Sequence, residues 1–420
     1  MLMCSIDQRS GGDQCHYFRK TDGYQRSEER AARKYSDYGF VLALICVALI
    51  CLLYPTAASA WGYKGHRVVG SIADQMLHDN AKAQVSQILS YEDSPDQGVA
   101  ITLRIAGPWA DCVKSVVQIV DGQGHVTYSY EPSNPEFRIP CTSFEKDHQH
   151  PIEQARMEDY VGRNFSQCSY APRGKERGCH NTYHFDDVAF QRDRFDRNYL
   201  GTNEHDLVAA ITAAIAVLKD NPTPAPFSIK DKKEALFMLA HLVGDLHQPL
   251  HVEAVYLAHD NVPGDNKGRV DPDATHQIDP ESVTEGGNLI SVRDQCLMSV
   301  GNRPMCLNFH AEWDENPKNL DDAATPELLA AARSVPPSKG PVEDWPAAWA
   351  SDTIVVAHQA LGNNNETFTP ITPTPTAPEK WTVTFDDRST YLSTTEDTIK
   401  RQQLAKAGAR LAELLNTIWP

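Results

Sequence analysis

The chain has 420 residues and a formal net charge of −17 at pH 7, and 41 % of its residues are hydrophobic. This length and hydrophobic content allow a sizeable core and exclude a disordered protein. The acidic balance excludes a broad cationic surface for nucleic acids. Affinity for a polyanion must therefore come from a local concentration of positive charge, for which bound metal ions are the obvious source.

The N-terminus carries the pattern of a secretory signal peptide. Residues 1–38 are polar and charged, and an apolar run from Phe40 to Tyr54 follows them. This run is shorter than the roughly 20 residues that a membrane-spanning helix needs. The small residues Ala58, Ser59 and Ala60 then resemble a cleavage site. We predict that residues 1–60 are removed on export to the periplasm or the medium; an uncleaved N-terminal anchor is the alternative.

Cysteine usage fits an exported chain. Four of the ten cysteines lie in the predicted signal peptide, and the other six are Cys112, Cys141, Cys168, Cys179, Cys296 and Cys306. An even number of cysteines in an exported protein favours disulfides, although six cysteines allow 15 pairings. Proximity in sequence suggests Cys168 with Cys179 and Cys296 with Cys306, which leaves Cys112 with Cys141. The pairing remains open at this point.

Apolar periodicity predicts a mainly α protein with a single compact helical domain over residues 61–420. The predicted helices cover Gly65 to Leu77, Asp206 to Lys219, Lys232 to Leu246, and Thr395 to Ile418. The third is apolar almost all round, which is typical of a core helix. The stretches 114–179 and 254–308 are predicted to be irregular, apart from a hairpin formed by 116–120 and 126–130. A short strand is predicted at 381–385, after the Pro/Thr-rich run 367–378.

Two histidine–carboxylate pairs give the clearest chemical signal. His241 and Asp245 are four residues apart on the apolar helix and therefore share one of its faces. A buried carboxylate is costly without a compensating cation or hydrogen bonds, and imidazole and carboxylate are both good zinc ligands. A buried His–Asp hydrogen bond is the alternative for this pair alone. The same spacing recurs at His310 and Asp314, which makes coincidence less probable.

Other candidate ligands are weaker when taken singly. Pro249 should bend the chain after Asp245 and let His251 turn toward the same centre. His184 and Asp111 are further candidates, whereas His247 does not share the face of His241 and is interpreted as structural. Five histidines in polar stretches are predicted to be solvated: His148, His150, His205, His259 and His276.

Taken together, the motifs resemble the zinc-dependent single-strand nucleases known as the S-one/P-one nuclease family. Trp61-Gly62-x-x-Gly65-His66, Trp109-Ala110-Asp111, the run from His241 to His251 and Asn308-x-His310-x-x-Trp313-Asp314 occur in the family's order. The similarity extends to the C-terminal segment 404–412. The resemblance implies the helical fold of the zinc phospholipase C and P-one nuclease type. Compared with the family, the chain has long insertions at about 115–180 and 254–308, which bear on substrate access and preference.

The resemblance also implies three Zn²⁺ ions per chain. The implied ligands are Asp111, His184, His241 and Asp245 for one ion, His251, His310 and Asp314 for a second, and His66, Asp245 and the amino group and carbonyl of Trp61 for a third. An α-amino group has a pKa of about 7.7 to 8.0 and is a zinc ligand only after signal-peptide cleavage has freed it.

The resemblance implies that the protein is an exported endonuclease that leaves 5′-phosphate products. Its substrates are single-stranded DNA and RNA, with 3′-nucleotides as further substrates, and the protein is expected to be a monomer. Asp111 and Asp245 would orient the attacking water, and Lys114 would neutralise charge; a surface lysine is the alternative for Lys114. The resemblance further suggests Phe185, Asp187 and Asn288 as substrate-binding residues, with Phe185 stacking on an unpaired base. Phe185 as plain core and Gly286-Gly287-Asn288 as an ordinary turn are the alternatives.

Two other functions compete with this one. A zinc phospholipase C uses a related fold and an N-terminal Trp, but differs at the position of Asp314, where it has glutamate. A non-catalytic zinc-binding exported protein would keep the ligands and lack turnover. No Gly-x-Ser-x-Gly motif or phosphate-binding glycine loop supports a serine hydrolase or a nucleotide-binding protein.

Overall fold

Helices form most of the fold in a computed structural model of the chain, which describes residues 61–132, 140–168, 178–300, 303–361, 366–373 and 378–420. The side chains of residues 293–300 and 303–307 are not described, and the predicted signal peptide lies outside the described residues. The described residues fall within one compact unit, Ala58–Pro420. Within these ranges, no helix combines the length and the apolar character needed to cross a bilayer.

The α-helices are numbered in chain order. They are α1 Gly62–Met76, α2 Asp79–Ile88, α3 Leu103–Ala106, α4 Trp109–Cys112, α5 Pro151–Arg163, α6 Leu207–Leu218, α7 Lys232–Asp245, α8 Pro272–Thr275, α9 Phe309–Asp314, α10 Pro326–Arg333, α11 Trp345–Leu361, α12 Arg388–Thr390 and α13 Asp397–Ile418. Short 3₁₀ turns lie at Val113–Ser115, Thr142–Phe144, Lys146–His148, Cys179–His184, Pro249–His251 and Val342–Asp344, and a π-helical segment covers Tyr391–Glu396.

The strands form only small sheets. They are β1 Val116–Val120, β2 Val126–Tyr130, β3 Val188–Ala189, β4 Glu253–Ala254, β5 Tyr256–Leu257, β6 Arg269–Val270, β7 Ile290–Val300, β8 Arg303–Asn308, β9 Thr367–Pro370 and β10 Trp381–Thr384. The largest sheet has the order β8-β7-β10-β9, in which β10 runs parallel to β7 and the other pairs are antiparallel. The strands β1 and β2 form a separate antiparallel hairpin.

Helix α7 is the centre of the helical core. Asp231 caps its N-terminus by accepting a hydrogen bond from the Glu234 amide at 2.9 Å, and every residue from Lys233 to Asp245 is buried. The helices α1, α3, α4, α6 and α13 all contact α7. Because the helix is surrounded, its polar side chains His241 and Asp245 are held inside the protein rather than at its surface.

The predicted mainly α fold is confirmed, as are the helices α1, α6, α7 and α13 within a few residues at their ends. The predicted hairpin 116–130 has the expected strand bounds. The prediction of irregular structure over 114–179 and 254–308 is wrong in part, because α5 and the long β7–β8 pair lie there. Residues 374–377 of the Pro/Thr-rich run lie outside the described residues.

The cysteines whose side chains are described form one disulfide pair and two free thiols. Cys112 and Cys141 form a disulfide, as predicted. The predicted Cys168–Cys179 disulfide is wrong for this structure, because both residues are free thiols. Cys296 and Cys306 face each other as Cα partners in the β7–β8 ladder, but their side chains lie outside those described.

Gly70 sets the separation between α1 and α3. A Cβ atom at this position would lie 2.2 Å from the Leu103 carbonyl oxygen and 2.4 Å from its carbon. Since a backbone carbonyl cannot rotate away, Gly70→Ala is expected to lower the free energy of unfolding by about 1–3 kcal/mol or more. Urea denaturation measures this change. Gly122→Ala is the matched control, because nothing lies within 4 Å of its Cβ position; equal stability of the two variants would contradict the prediction.

Candidate metal centre

Side chains from six segments converge beside α7. His66 comes from α1, Asp111 from α4, His184 from the 3₁₀ turn 179–184, and His241 and Asp245 from α7 itself. The turn 249–251 and helix α9 supply the remaining residues. Three groups have ligand atoms within 4.8 Å of one another: His66, His241 and Asp245; Asp111, His184 and His241; and His251, His310 and Asp314.

Asp245 joins the first two groups. Its Oδ1 lies 3.3 Å from His66 Nε2, and its Oδ2 lies 2.9 Å from His184 Nδ1 and 3.3 Å from His241 Nε2. Asp111 completes the arrangement with its Oδ1 at 3.7 Å from His241 Nε2. One buried carboxylate therefore serves three imidazoles, a geometry that a structural His–Asp pair does not need.

The third group, formed by His251, His310 and Asp314, gives the clearest evidence for a bound cation. His251 Nδ1 lies 2.6 Å from the His184 carbonyl oxygen, and His310 Nδ1 lies 2.7 Å from the Gly286 carbonyl oxygen. A carbonyl only accepts, so each Nδ1 carries the proton and each Nε2 of a neutral ring is a lone pair. The two Nε2 atoms are nevertheless only 3.1 Å apart, and Asp314 Oδ2 lies 3.3 Å from His310 Nε2. A cation satisfies such facing lone pairs.

Burial lowers the pKa of four of these imidazoles, those of His66, His184, His251 and His310, and so keeps them neutral and able to bind a metal. For His241, burial is outweighed by the Asp245 and Asp111 carboxylates, which raise its pKa. Burial, together with the neighbouring His241, lowers the pKa of His66 to about 3. Burial and His251 lower the pKa of His310 to about 3 as well, and burial with nearby Lys114 lowers that of His184 to about 4. Deprotonated imidazole is the form that metals bind.

Unsatisfied buried atoms support the same conclusion. Among the described residues, both ring nitrogens of His66, Nε2 of His241, Oδ1 of Asp245 and Oδ2 of Asp314 have no hydrogen-bond partner. Buried polar atoms without partners are costly, and each of these residues belongs to one of the three groups of ligand atoms. The donor set of imidazole nitrogens and carboxylate oxygens is one that zinc accepts, so these residues fit the metal.

Trp61 sits beside this centre. The residue is fully buried, and its indole Nε1 donates to the Gly244 carbonyl oxygen at 2.8 Å, next to Asp245 in the chain. A Cβ atom at Gly244 would lie 2.9 Å from His66 Nδ1, which shows how closely His66 packs here. Zinc ligation by the Trp61 amino group and carbonyl stays a prediction.

The predicted catalytic and substrate-binding residues lie around the cluster. Lys114 Nζ is 2.7 Å from Asp111 Oδ1 and is only slightly exposed, so it is no ordinary surface lysine. Phe185 is partly exposed rather than core. Asp187 is buried, and burial with nearby Glu285 raises its pKa to about 7. Asn288 donates to the Glu285 carbonyl oxygen and accepts from Asn308, so its amide supports the turn containing Gly286.

The histidines outside the cluster separate into two kinds. His247 is bonded to the Val243 carbonyl oxygen at 2.7 Å and to Arg410 at 3.0 Å, as expected of a structural residue. The prediction that His150 and His205 are solvated is wrong, because both are buried. His148 and His276 are exposed and His259 is partly exposed.

Sequence reasoning missed the residues that hold the ligands in place. The carbonyls of Gly107 and Gly286 fix the rings of His241 and His310, and Gln248 Nε2 donates to Asp314 Oδ1 at 2.9 Å. The Gln248 Oε1 accepts from the Leu250 amide at 2.6 Å, so both ends of this side chain are fixed. A glutamine between two histidines was a visible signal, but nothing local shows that it reaches Asp314.

Gln248→Leu is expected to weaken zinc binding at the group formed by His251, His310 and Asp314. The leucine keeps the volume but leaves Asp314 without its donor, and changes of this kind cost about 10–100-fold in metal affinity. Competition with a fluorescent chelator measures the loss. Gln403→Leu is the matched control, because Gln403 is equally buried but donates to the His247 carbonyl oxygen at 3.0 Å. Equal zinc affinities in the two variants would exclude this role.

A mainly helical fold with clustered imidazole and carboxylate side chains is typical of a metal-dependent protein. A sequence model of the S1/P1 nuclease family matches residues 138–420, well over half of the chain. The chain therefore belongs to the S1/P1 nuclease family, and the predicted membership is confirmed. Members of this family are zinc-dependent hydrolases of phosphodiester bonds. No match to the chain is found among curated proteins.

The family match begins downstream of three residues of the site. Trp61, His66 and Asp111 all precede residue 138, where the match starts. The structure nevertheless brings His66 and Asp111 against His241. Their place at the centre thus rests on the geometry rather than on the family match.

Proposed function

We propose that the chain is an exported endonuclease that hydrolyses single-stranded DNA and RNA to 5′-phosphate products through three zinc ions, and that it also accepts 3′-nucleotides. The observation that carries this proposal is the facing pair of Nε2 lone pairs on His251 and His310 beside the Asp245 cluster. Such a density of ligands exceeds what one ion needs. The Cys112–Cys141 disulfide fits export to an oxidising compartment.

The ligand assignment follows the groups in space. One ion is assigned to Asp111, His184, His241 and Asp245, a second to His251, His310 and Asp314, and a third to His66, Asp245 and the Trp61 amino group and carbonyl. Bound zinc supplies Lewis acidity, which lowers the pKa of a water and neutralises phosphate charge.

The protein's own groups then have separate roles. Asp111 and Asp245 would orient the attacking water, because their carboxylates are the ones that lie beside His241. Lys114, held on Asp111, brings a positive charge toward the phosphate. In a chain with net charge −17, this local charge is what a polyanion can bind.

Base recognition is assigned to the segment that follows His184. Phe185 is partly exposed directly beside a metal ligand, where an unpaired base can stack on its ring. Asp187, two residues on, would accept hydrogen bonds from a base edge. A paired base has both faces covered in the duplex, so this arrangement favours single strands.

The test is hydrolysis by protein that begins at Trp61, using single-stranded DNA, RNA and a duplex of the same sequence. Cleavage of single strands with 5′-phosphate ends supports the proposal. Full zinc occupancy without hydrolysis of nucleic acids or 3′-nucleotides would overturn it. Phospholipid hydrolysis would then indicate a phospholipase C, and no turnover at all a zinc-binding protein.

Phe185→Ala is expected to raise KM for single-stranded DNA about tenfold or more, because base–aromatic stacking contributes about 1–3 kcal/mol per base. Zinc content should not change. Phe190→Ala is the control, since Phe190 is also partly exposed but packs on His358 and Arg269. If both variants bind DNA equally well, Phe185 has no role in base recognition.

A further inference from the structure

A second group of side chains that could hold a metal ion shares no residue with the candidate metal centre. Cys168 follows α5, Cys179 begins the 3₁₀ turn 179–184, and His205 precedes the N-cap of α6. One ligand atom from each lies within 4.8 Å of the others. We propose that Cys168, Cys179 and His205 bind a structural Zn²⁺ ion, separate from the proposed trinuclear centre.

The backbone around this group is firmly anchored. The Cys179 amide donates to the Phe165 carbonyl oxygen at 2.7 Å, and the His205 amide donates to Asn203 Oδ1 at 3.0 Å. The Thr182 hydroxyl lies 2.8 Å from the Cys179 carbonyl oxygen and 3.4 Å from that of His205, which ties the two segments together. Cys179 and His205 therefore meet through fixed chain positions.

The chemistry of the three side chains suits zinc. Thiolate and imidazole are its usual structural ligands. Two thiolates balance the charge of one Zn²⁺, so a neutral assembly is buried, and two thiol protons pass to solvent when the ion binds. Cys179 and His205 are buried, whereas Cys168 is partly exposed.

A disulfide between the two cysteines is the main rival. It would use only the two sulfur atoms, whereas a ligand atom of His205 also lies within 4.8 Å of them. The structure also distinguishes the two kinds of cysteine, because Cys112 and Cys141 are bonded whereas Cys168 and Cys179 are separate thiols.

The proposed ion would stabilise the segment that carries His184 and Phe185. The turn that begins at Cys179 ends at His184, and the Leu207 amide donates to the Phe185 carbonyl oxygen at 3.2 Å. An ion at this place fixes both ends of the segment that carries His184 and Phe185. Its loss should lower the melting temperature and loosen His184 without removing a ligand of the trinuclear centre.

Cobalt substitution tests the site directly, because thiolate–Co²⁺ charge transfer absorbs in the near ultraviolet and imidazole or carboxylate ligation does not. The band is expected in the wild type and in Asp245→Asn, whose trinuclear centre is disabled. It should disappear in Cys168→Ser and Cys179→Ser and weaken in His205→Gln. Cys306→Ser, at a cysteine whose Cα partner is Cys296, is the matched control and should keep the band.

A measurement on the wild type covers the case in which the variants fail to fold. Alkylation followed by peptide mass spectrometry should show Cys168 and Cys179 protected in zinc-loaded protein and labelled after chelation. A Cys168–Cys179 disulfide in protein isolated without reductant would overturn the proposal. Two thiols that are labelled equally with and without zinc, and no cobalt band, would overturn it as well.

Discussion

Replacing Asp245 with asparagine is expected to lower kcat/KM on single-stranded DNA by about a thousandfold. The Asp245 carboxylate lies within 3.3 Å of ring nitrogens of His66, His184 and His241. Asparagine keeps the shape but replaces one ligand oxygen with a donor group and removes the charge. A loss of several kcal/mol of metal-based stabilisation corresponds to about three orders of magnitude in rate.

Zinc content should fall together with activity, because Asp245 is shared by two of the proposed sites. Elemental analysis and steady-state kinetics on the same preparation measure both. Asp352→Asn is the control: Asp352 is partly buried and pairs with Lys406 at 2.9 Å and Arg410 at 2.7 Å, neither of which is a proposed ligand. Wild-type turnover in the Asp245 variant would refute the assignment of the metal centre.

A single additional residue before Trp61 is the second change with a large expected effect. It converts the α-amino group into an amide, which has no lone pair to donate to zinc. We expect the extended protein to hold about one zinc fewer per chain and to lose about a hundredfold or more in kcat/KM, equivalent to about 3 kcal/mol. The buried indole of Trp61, bonded to the Gly244 carbonyl oxygen, should remain in place.

Proteolytic removal of the extension provides the control, because it restores the Trp61 amino group in the same preparation. Zinc content and activity should then recover together. An extended protein with full zinc content and full activity would show that the N-terminus is not a ligand, and His66 and Asp245 would have to hold the ion without it.

Sequence patterns predicted the helices whose apolar faces are continuous. Helix α7 is the clearest, since its side chains are buried on every side. Helix α5 was missed because its buried face includes Glu153 and Gln154, which break the apolar period. The sheet containing β7 and β10 joins strands about 90 residues apart in the chain, and no local pattern specifies such a pairing.

Some residues of the candidate site could likewise be predicted from sequence spacing, and others could not. The spacing of four residues between His241 and Asp245, and between His310 and Asp314, was visible because a helix turns residue separation into a shared face. The convergence of His66 and Asp111 on His241 depends on how α1, α4 and α7 pack. The burial of His205 was mispredicted for the same reason, because Cys168 and Cys179, which lie beside it in space, come from other segments of the chain.

The packing of α1 against α13 determines when the helix that carries His66 becomes stably packed. A Cβ atom at Gly408 would lie 2.5 Å from Ile72 Cβ, and the Asn416 side chain bonds both the His78 amide and the Met76 carbonyl oxygen. The helix that carries His66 therefore gains this support only when α13, the last helix of the chain, has been synthesised. If the chain is exported as proposed, its N-terminal segment gains this support only after α13 has emerged, so hydrolytic competence should arise late.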